Sequence, residues 1–206
     1  MGWPGVRLVE QLDLSSFKVH PCKQPLHPHN HKRCIYYHSE KDRRRDPRKI
    51  TYASDLCRQK DEEGTCVAGE GCRYAHNKVE QAYHPTKYRY KFCSTYPGEV
   101  TRCNYGAFCS YSHSEPELKA EILHNYPQDL DFFLFHYKTS FCPYTKSHDR
   151  SRCVYAHNWQ DFRRNPQIHS YLPQLCTLWN HNSKLHDYSS GCPRDVHCNY
   201  SHGRKQ

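Results

Sequence analysis

Hydrophobic residues are scattered thinly along this chain of 206 residues, and few of them recur with the period of a helix or a strand. The clearest pattern lies in residues 114–136, where Leu118, Ile122 and Leu123 have helical spacing after a Ser-Glu-Pro-Glu start. Pro127 would end that helix. We therefore predict a helical connector at 114–136, and short helical turns and loops with little sheet elsewhere.

Two other apolar segments are short. Residues 130–135 form the most apolar stretch, which we expect to pack within the protein, with a partner-binding surface as the alternative. Residues 1–16 carry several aliphatic side chains among polar ones and predict one flanking helix or strand. We expect no signal peptide and no membrane partner, since no segment has the length and hydrophobicity of a membrane span.

The composition argues against one large core. Only 36% of the residues are hydrophobic and the mean hydropathy is -1.04, so apolar burial alone cannot offset the entropy lost on ordering. The thirteen cysteines supply another means of stabilisation. Because thirteen is odd and histidines accompany the cysteines at fixed spacing, metal-bound thiolates in a reducing compartment fit better than a secreted disulfide framework.

One arrangement of three cysteines and a histidine occurs three times. The copies that begin at Cys57 and Cys93 have gaps of 8, 5 and 3 residues and of 9, 5 and 3 residues. A further copy begins at Cys176 and has gaps of 15, 5 and 3 residues. Three thiolates and one imidazole make the closed tetrahedral shell of a structural zinc site.

Two more sites contain a histidine in place of the second cysteine. In the later one, His148 is the single histidine available at that place. In the earlier one there are three candidates: His27, His29 and His31. An offset of 119 residues takes position 29 to position 148, in register with the C-x3-H segments that follow, so we predict His29. An exchange among the three would cost little in so short a loop.

Together the five sites use every cysteine, and each has four protein ligands, so the sequence predicts five structural zinc ions. No shell leaves a position open for water, and we therefore predict no zinc-dependent catalysis and no enzyme. The predicted ligands are Cys22, His29, Cys34, His38, Cys57, Cys66, Cys72, His76, Cys93, Cys103, Cys109, His113, Cys142, His148, Cys153, His157, Cys176, Cys192, Cys198 and His202.

The same offset relates residues outside the metal sites and indicates an internal duplication. We predict an N-terminal flanking segment at 1–16, a first cluster of three sites at 17–113, the connector at 114–136, and a second cluster of two sites at 137–206. The second cluster stops soon after its second site. Either a sixth site follows residue 206 or it has been lost.

The net charge of +9 and the 17 tyrosines favour a nucleic-acid partner, because phosphates attract cations and bases stack on rings. A tyrosine occupies the centre of all five C-x3-H segments, either packed over its own backbone or exposed as a base platform. The candidate RNA contacts are Tyr105, Phe108, Tyr111, Tyr74, Arg73, Lys87, Arg89, Tyr90, Lys91, Tyr36, Tyr155, Tyr200, Arg44 and Arg45.

The third site carries the fullest set of candidate contacts. Tyr105 and Phe108 could face Tyr111 across a slot one base wide, and the preceding segment 87–92 alternates basic and aromatic residues. The arginine-rich run 41–49 is more ambiguous. It is either a solvated face, a nuclear-import signal or a joint between sites that also touches phosphate.

These motifs resemble the CCCH class of zinc fingers, a small irregular fold stabilised by zinc. CNYGAFCSYSH at 103–113 with its lead-in YRYKFC, together with FKVHPC and RRRDPRK, is similar to the Unkempt-type and plant arginine-rich tandem CCCH families. The resemblance implies binding of single-stranded RNA at short A/U-containing motifs, control of mRNA translation or stability, and base stacking on Tyr105 and Tyr111. It also implies that the lead-in 88–92 presents backbone groups to base edges.

We therefore expect a sequence-selective single-stranded RNA-binding protein that acts on mRNA as a monomer, in the cytoplasm with nuclear shuttling. A DNA-binding transcriptional regulator and a zinc-finger scaffold for protein interactions are the alternatives. The histidines of the first and fourth sites depart from the usual CCCH set, and the long loop of the fifth site puts its RNA role in doubt.

Overall fold

The computed structural model describes residues 12–23, 28–59, 65–181, 185, 187–203 and 205–206. The chain divides into two compact units, Met1–Lys119 and Ala120–Gln206. The first unit contains fingers one to three and the second contains fingers four and five, the fingers being numbered by their metal sites in chain order. Among the described residues, no helix has the length and apolar character needed to cross a membrane.

Regular secondary structure is short throughout. The α-helices are α1, Lys78–Ala82, and α2, Leu130–Phe135. The strands are β1, Ala53–Leu56, β2, Tyr74–Ala75, β3, Leu172–Leu175, and β4, Tyr200–Ser201. The 3-10 helices are His31–Arg33, Gly69–Gly71, Val100–Arg102, Gly106–Phe108, Glu115–Glu117, Leu123–Asn125 and Asp195–His197. The prediction of a small irregular fold built on five Cys/His clusters is confirmed.

Every finger is closed by the same pair of backbone hydrogen bonds. In finger three, the N–H of Cys93 donates to the carbonyl of Ser112, and the N–H of Arg89 donates to the carbonyl of Ser110, both at 2.8 Å. In fingers two and five this pairing is the parallel contact of β1 with β2 and of β3 with β4. The equivalent first donors and acceptors elsewhere are Cys22 and Tyr37, Cys57 and Ala75, Cys142 and Ala156, and Cys176 and Ser201.

The first unit has a small aromatic core between fingers. Phe17, Tyr83 and Tyr88 are buried together, and the rings of Phe17 and Tyr83 lie 4.5 Å apart. Leu12 and Leu14, from the end of the predicted flanking segment, pack against this cluster. Residues 1–11 of that segment lie outside the described residues. The core therefore joins the lead-in of finger one to the segment between fingers two and three.

The second unit has two small cores. One contains Leu123 and Phe132 with Val154 and Tyr155 of finger four. The other contains Trp179 and Tyr188 together with the three cysteines of finger five. Each core is a few side chains around cysteines, which agrees with the low hydrophobic content of the sequence.

The connector differs from the helix that was expected to begin after Ser114 and to end at Pro127. Two 3-10 turns, Glu115–Glu117 and Leu123–Asn125, are separated by extended backbone at Leu118, and α2 follows. The reason is tertiary hydrogen bonding. The N–H of Lys119 donates to a carbonyl of the finger-three lead-in, and the N–H of Leu123 donates to the hydroxyl of a buried tyrosine, so neither group is available to a helix.

Candidate metal centres and nucleic-acid interface

The twenty predicted metal ligands come together in five groups of four. Within each group the candidate ligand atoms all lie within 4.8 Å of one another. All thirteen cysteines are free of disulfide bonds. In finger two the Sγ of Cys57 lies 3.6 Å from the Sγ atoms of both Cys66 and Cys72, far beyond a disulfide length. Each group therefore has the arrangement of ligand atoms that a metal centre requires.

The donor geometry fits zinc. Sulfur atoms bound to one tetrahedral zinc at a Zn–S distance of ~2.3 Å are separated by ~3.8 Å, and the pairs observed span 3.6 to 3.9 Å. In finger one, the Nε2 atoms of His29 and His38 lie 2.9 Å apart, in the same group as the thiols of Cys22 and Cys34. The buried Nε2 atoms of His113 and His202 make no hydrogen bond, which leaves them available to a metal.

Finger one brings His29 into the metal group, as the internal duplication predicted. His31 lies outside the group, and its ring stacks on that of His38 with centroids 3.9 Å apart and planes 7° apart. His27, the third candidate, lies outside the described residues. Finger four has the same form, with the Nε2 atoms of His148 and His157 3.0 Å apart.

Each finger also contains a supporting acceptor that the sequence analysis missed. It lies four residues after the ligand histidine and accepts a hydrogen bond from the backbone N–H of that histidine, at 2.7 to 3.3 Å. The spacing His-x3-Asp/Glu/Gln was visible in the sequence as a regular signal. These residues are Asp42, Glu80, Glu117, Asp161 and Gln206.

Buried lysines complete this arrangement in fingers one and four. Lys18 and Lys138 are 4% and 1% exposed, and their ammonium groups lie 2.9 Å from Asp42 and Asp161. Both residues have left-handed backbone, with φ of 59° and 62°. Lys18 and Lys138, which follow Phe17 and Tyr137 ahead of the first cysteine of fingers one and four, are therefore structural.

Arg44 and Arg45 of the arginine-rich run form a buried joint, and the prediction that they contact RNA is wrong. Arg44 is 1% exposed and donates to the carbonyls of Leu14 and Phe17. Arg45 is 2% exposed and forms an ion pair at 2.8 Å with Glu80. Pairing inside the fold takes both guanidinium groups out of reach of phosphate. The interpretation of the run as a joint between fingers agrees with these contacts.

The tyrosines at the centres of the C-x3-H segments have different surroundings. Tyr74, Tyr111 and Tyr200 are 45%, 44% and 38% exposed, and Tyr36 is half-buried. Tyr155 is fully buried, and its hydroxyl accepts a hydrogen bond from Leu123, so the prediction of Tyr155 as a base platform is wrong. Burial raises the pKa of the Tyr155 hydroxyl well above its usual range.

Finger three presents a different surface from the slot expected. Phe108 packs against the core of the first unit, with its ring stacked 6.2 Å from that of Phe17, so it does not complete a slot with Tyr111. Tyr105 is 42% exposed, and the ammonium of Lys32 from finger one lies 5.4 Å from its ring centroid. This ring therefore combines a stacking face with a nearby cation.

The lead-in of finger three is partly exposed and partly structural. Lys87, Tyr90 and Lys91 are exposed, whereas Tyr88 is buried in the core. Arg89 has φ of 61°, and its backbone N–H and carbonyl both form hydrogen bonds with finger three. Its backbone is therefore not free to meet a base edge. Arg73, in finger two, is exposed.

Comparison with known proteins agrees with the metal geometry. A family model described as AtC3H23-like, CCCH zinc finger, matches residues 131–164. The chain is 38% identical over 112 residues to RING finger protein unkempt homolog of Mus musculus, and 36% identical over 112 residues to the Drosophila melanogaster protein. It is 34% identical over 116 residues to zinc finger CCCH domain-containing protein 29 of Arabidopsis thaliana. Over these segments the chain is similar to the Unkempt and plant CCCH zinc-finger proteins.

The match covers about half of this chain and a small part of each relative. It includes 50% of this chain and 14% of the mouse protein, 50% and 18% for the Drosophila protein, and 56% and 18% for the Arabidopsis protein. The shared segment is therefore a zinc-finger region within much longer proteins.

The surroundings of two predicted metal ligands, His202 and Cys93, favour the protonation states that bind a metal ion. Burial and then the charge of Arg164 lower the pKa of His202 to about 4, so its ring is neutral near pH 7. Burial would raise the pKa of the Cys93 thiol, but hydrogen bonds from Thr95 and neighbouring groups lower it to about 6. A neutral imidazole and a thiolate are the forms that coordinate zinc.

Proposed function

We propose that this chain binds single-stranded RNA through exposed aromatic rings on its CCCH fingers. One observation carries the proposal: finger three exposes Tyr105 and Tyr111, at 42% and 44%, on a frame held by a metal centre. Stacking of an unpaired base on such a ring contributes ~1–3 kcal/mol. The relationship to CCCH zinc-finger proteins supports the same function.

The cations around finger three suit the phosphates of the same strand. Lys87 and Lys91 are exposed on its lead-in, and Lys32 of finger one lies beside Tyr105. The net charge stays positive even if all thirteen thiols are bound as thiolates to five divalent ions. Cations next to stacking rings allow one strand to be held by its phosphates and its bases together. Tyr74, Tyr90 and Tyr200 extend the set of exposed rings.

The alternatives differ in their support. A DNA-binding regulator would use the arginine-rich run at 41–49, and the burial of Arg44 and Arg45 within that run weakens this alternative. A protein-interaction role keeps one specific observation. Leu130, Phe133 and Leu134 of α2 are 73%, 47% and 45% exposed, an apolar face that a protein partner could cover.

The wider role follows from the RNA-binding proposal. We propose that the chain is a monomer that recognises short A/U-containing motifs in mRNA and affects translation or stability. Its proposed location is the cytoplasm, with shuttling to the nucleus. No enzymatic step belongs to this proposal.

The test is selection of ligands from a random single-stranded RNA pool by the zinc-loaded chain, followed by affinity measurements on the enriched RNA. Each of Tyr105→Ala and Tyr111→Ala should weaken binding about tenfold, the amount of one stacked base. Tyr126→Ala is the matched control, because Tyr126 is 38% exposed but lies outside the fingers. Unchanged affinity in the Tyr105→Ala/Tyr111→Ala double variant would contradict base stacking.

Two further measurements separate RNA binding from the alternatives. Competition among RNA, single-stranded DNA and duplex DNA of equal length should favour RNA. The slope of log affinity against log salt should be about -0.7 for each phosphate neutralised. A slope near zero would indicate a protein partner instead.

A further inference from the structure

A cavity of about 260 Å³ lies where finger one meets finger three. Arg33 of finger one holds the two fingers together, because its guanidinium donates to the carbonyls of Cys103 and Asn104 at 3.2 and 3.1 Å. Gly106 of finger three has φ of 54°, and a Cβ there would lie 3.4 Å from that guanidinium. The cavity is therefore bounded by two fingers whose contact is fixed by hydrogen bonds.

The lining of the cavity is aromatic on the buried side and carries a cation on the solvent side. Phe17 and Tyr83, which are 2% and 5% exposed, contribute its buried aromatic wall. Lys32 and Tyr105, which are both exposed, line it on the solvent side, with the ammonium 5.4 Å from the ring centroid. The stacked His31 ring adds a flat polar surface. An apolar interior with a cation at its opening suits a flat, uncharged group attached to an anion.

Charge distribution inside the cavity supports the same ligand. Lys18 lines the cavity, but its ammonium is paired with Asp42 at 2.9 Å and also donates to two backbone carbonyls. The interior therefore has no unpaired cation for a phosphate, whereas Lys32 remains at the exposed side. A phosphate is favoured at the opening and a neutral ring is favoured inside.

We propose that this cavity takes one unstacked base of a single-stranded RNA, next to the base that stacks on Tyr105, with the intervening phosphate on Lys32. This inference rests on the proposed RNA-binding function and adds a second base contact to it. The volume is below the range of ~300–1,000 Å³ typical of drug-sized ligands, which limits the occupant to a small group such as one base. Finger one thus takes part in reading RNA, although its metal shell is the less usual one.

The experiment fills the cavity without changing Tyr105. Ser39 lines the cavity and is exposed, so the larger ring in Ser39→Tyr should occupy the space, with loss of the hydrogen bond from the Ser39 hydroxyl to Asp42. Asn158→Tyr is the matched control, because Asn158 is exposed and occupies the equivalent place in finger four by the offset of 119. The probe is RNA enriched from a random pool by the zinc-loaded wild-type chain. Ser39→Tyr should reduce affinity about tenfold and remove sequence preference at one position adjacent to the base lost in Tyr105→Ala.

A second variant keeps the proposal testable if Ser39→Tyr fails to fold, which zinc content and thermal unfolding would reveal. Lys32 is exposed, and Lys32→Gln removes the cation that is proposed to meet the phosphate. The slope of log affinity against log salt should therefore become shallower by about 0.7.

The possible outcomes distinguish RNA binding by the chain from base binding in the cavity. Absence of RNA binding by the wild-type chain would overturn the proposed function itself. If Tyr105→Ala weakens binding while the folded Ser39→Tyr variant keeps wild-type affinity and preference, the cavity is not a base site although the protein binds RNA. An unchanged salt slope in Lys32→Gln would overturn the assignment of the phosphate.

Discussion

At the scale of single residues, identical motif positions have different surroundings. Tyr155 and Tyr111 occupy the same place in their C-x3-H segments, yet Tyr155 is fully buried and Tyr111 is 44% exposed. The difference arises because Leu123, from the segment before finger four, packs there and donates its N–H to the Tyr155 hydroxyl. Nothing within the five-residue motif distinguishes the two tyrosines, so sequence reasoning could not separate them.

Glu80 is the clearest case of a structural residue that supports a metal site from outside it. Its carboxylate accepts hydrogen bonds from the guanidinium and N–H of Arg45 and from the backbone N–H of His76. Burial alone would raise the pKa of Glu80, but these hydrogen bonds outweigh it and lower the pKa. Glu80 is therefore ionised inside the fold and fixes both the arginine joint and finger two.

We predict that Glu80→Gln lowers the free energy of unfolding by ~3–5 kcal/mol, because it leaves the buried Arg45 charge without its partner. Glu99→Gln is the control. Glu99 and its partner Arg102 are exposed, at 61% and 74%, and such pairs contribute ~0–1 kcal/mol. Thermal or denaturant unfolding of the zinc-loaded chain measures both. Equal stability of the two variants would contradict the role assigned to Glu80.

At the scale of elements, finger five uses its long loop to build a core. The ring of Trp179 stacks on that of the ligand His202, with centroids 4.3 Å apart, and its Nε1–H donates to Gln160 at 2.8 Å. Gly191 lies against the same ring, and a Cβ there would come within 3.0 Å of three of its atoms. The loop that put the RNA role of finger five in doubt therefore covers its metal ligand.

Gly191→Ala should push Trp179 off the histidine and destabilise finger five by ~1–3 kcal/mol, the usual cost of overpacking. The expected readout is release of one zinc ion at a lower chelator concentration than the other four. Gly71→Ala provides the control, since a Cβ at Gly71 of finger two would meet nothing within 4 Å. Simultaneous release of all five ions in Gly191→Ala would argue against a local effect.

At the scale of the whole molecule, metal centres replace a large core and make stability depend on pH. Burial is the first cause of a lowered pKa at His38, His157 and His202, the last falling from 6.5 to about 4. Between those values the unfolded chain binds more protons at His202 than the folded chain does. Acid therefore favours unfolding, and protons also compete with zinc for the same ring.

We predict that the free energy of unfolding falls as the pH is lowered from about 6.5 towards 4. Denaturant titrations at a series of pH values, with zinc content measured in parallel, check this. Stability that stays level, or rises, across that interval would contradict the assignment of buried neutral histidines.

The sequence by itself determined the metal centres and the class of fold. All four ligands of each site lie within one short segment, so their spacing alone was enough to group them, and the internal offset selected His29 in finger one. Only the tertiary structure decided which tyrosines are exposed, that Arg44 and Arg45 are buried, and that Phe108 belongs to a core. The physical reason is that zinc coordination is set by local spacing, whereas burial depends on segments distant along the chain.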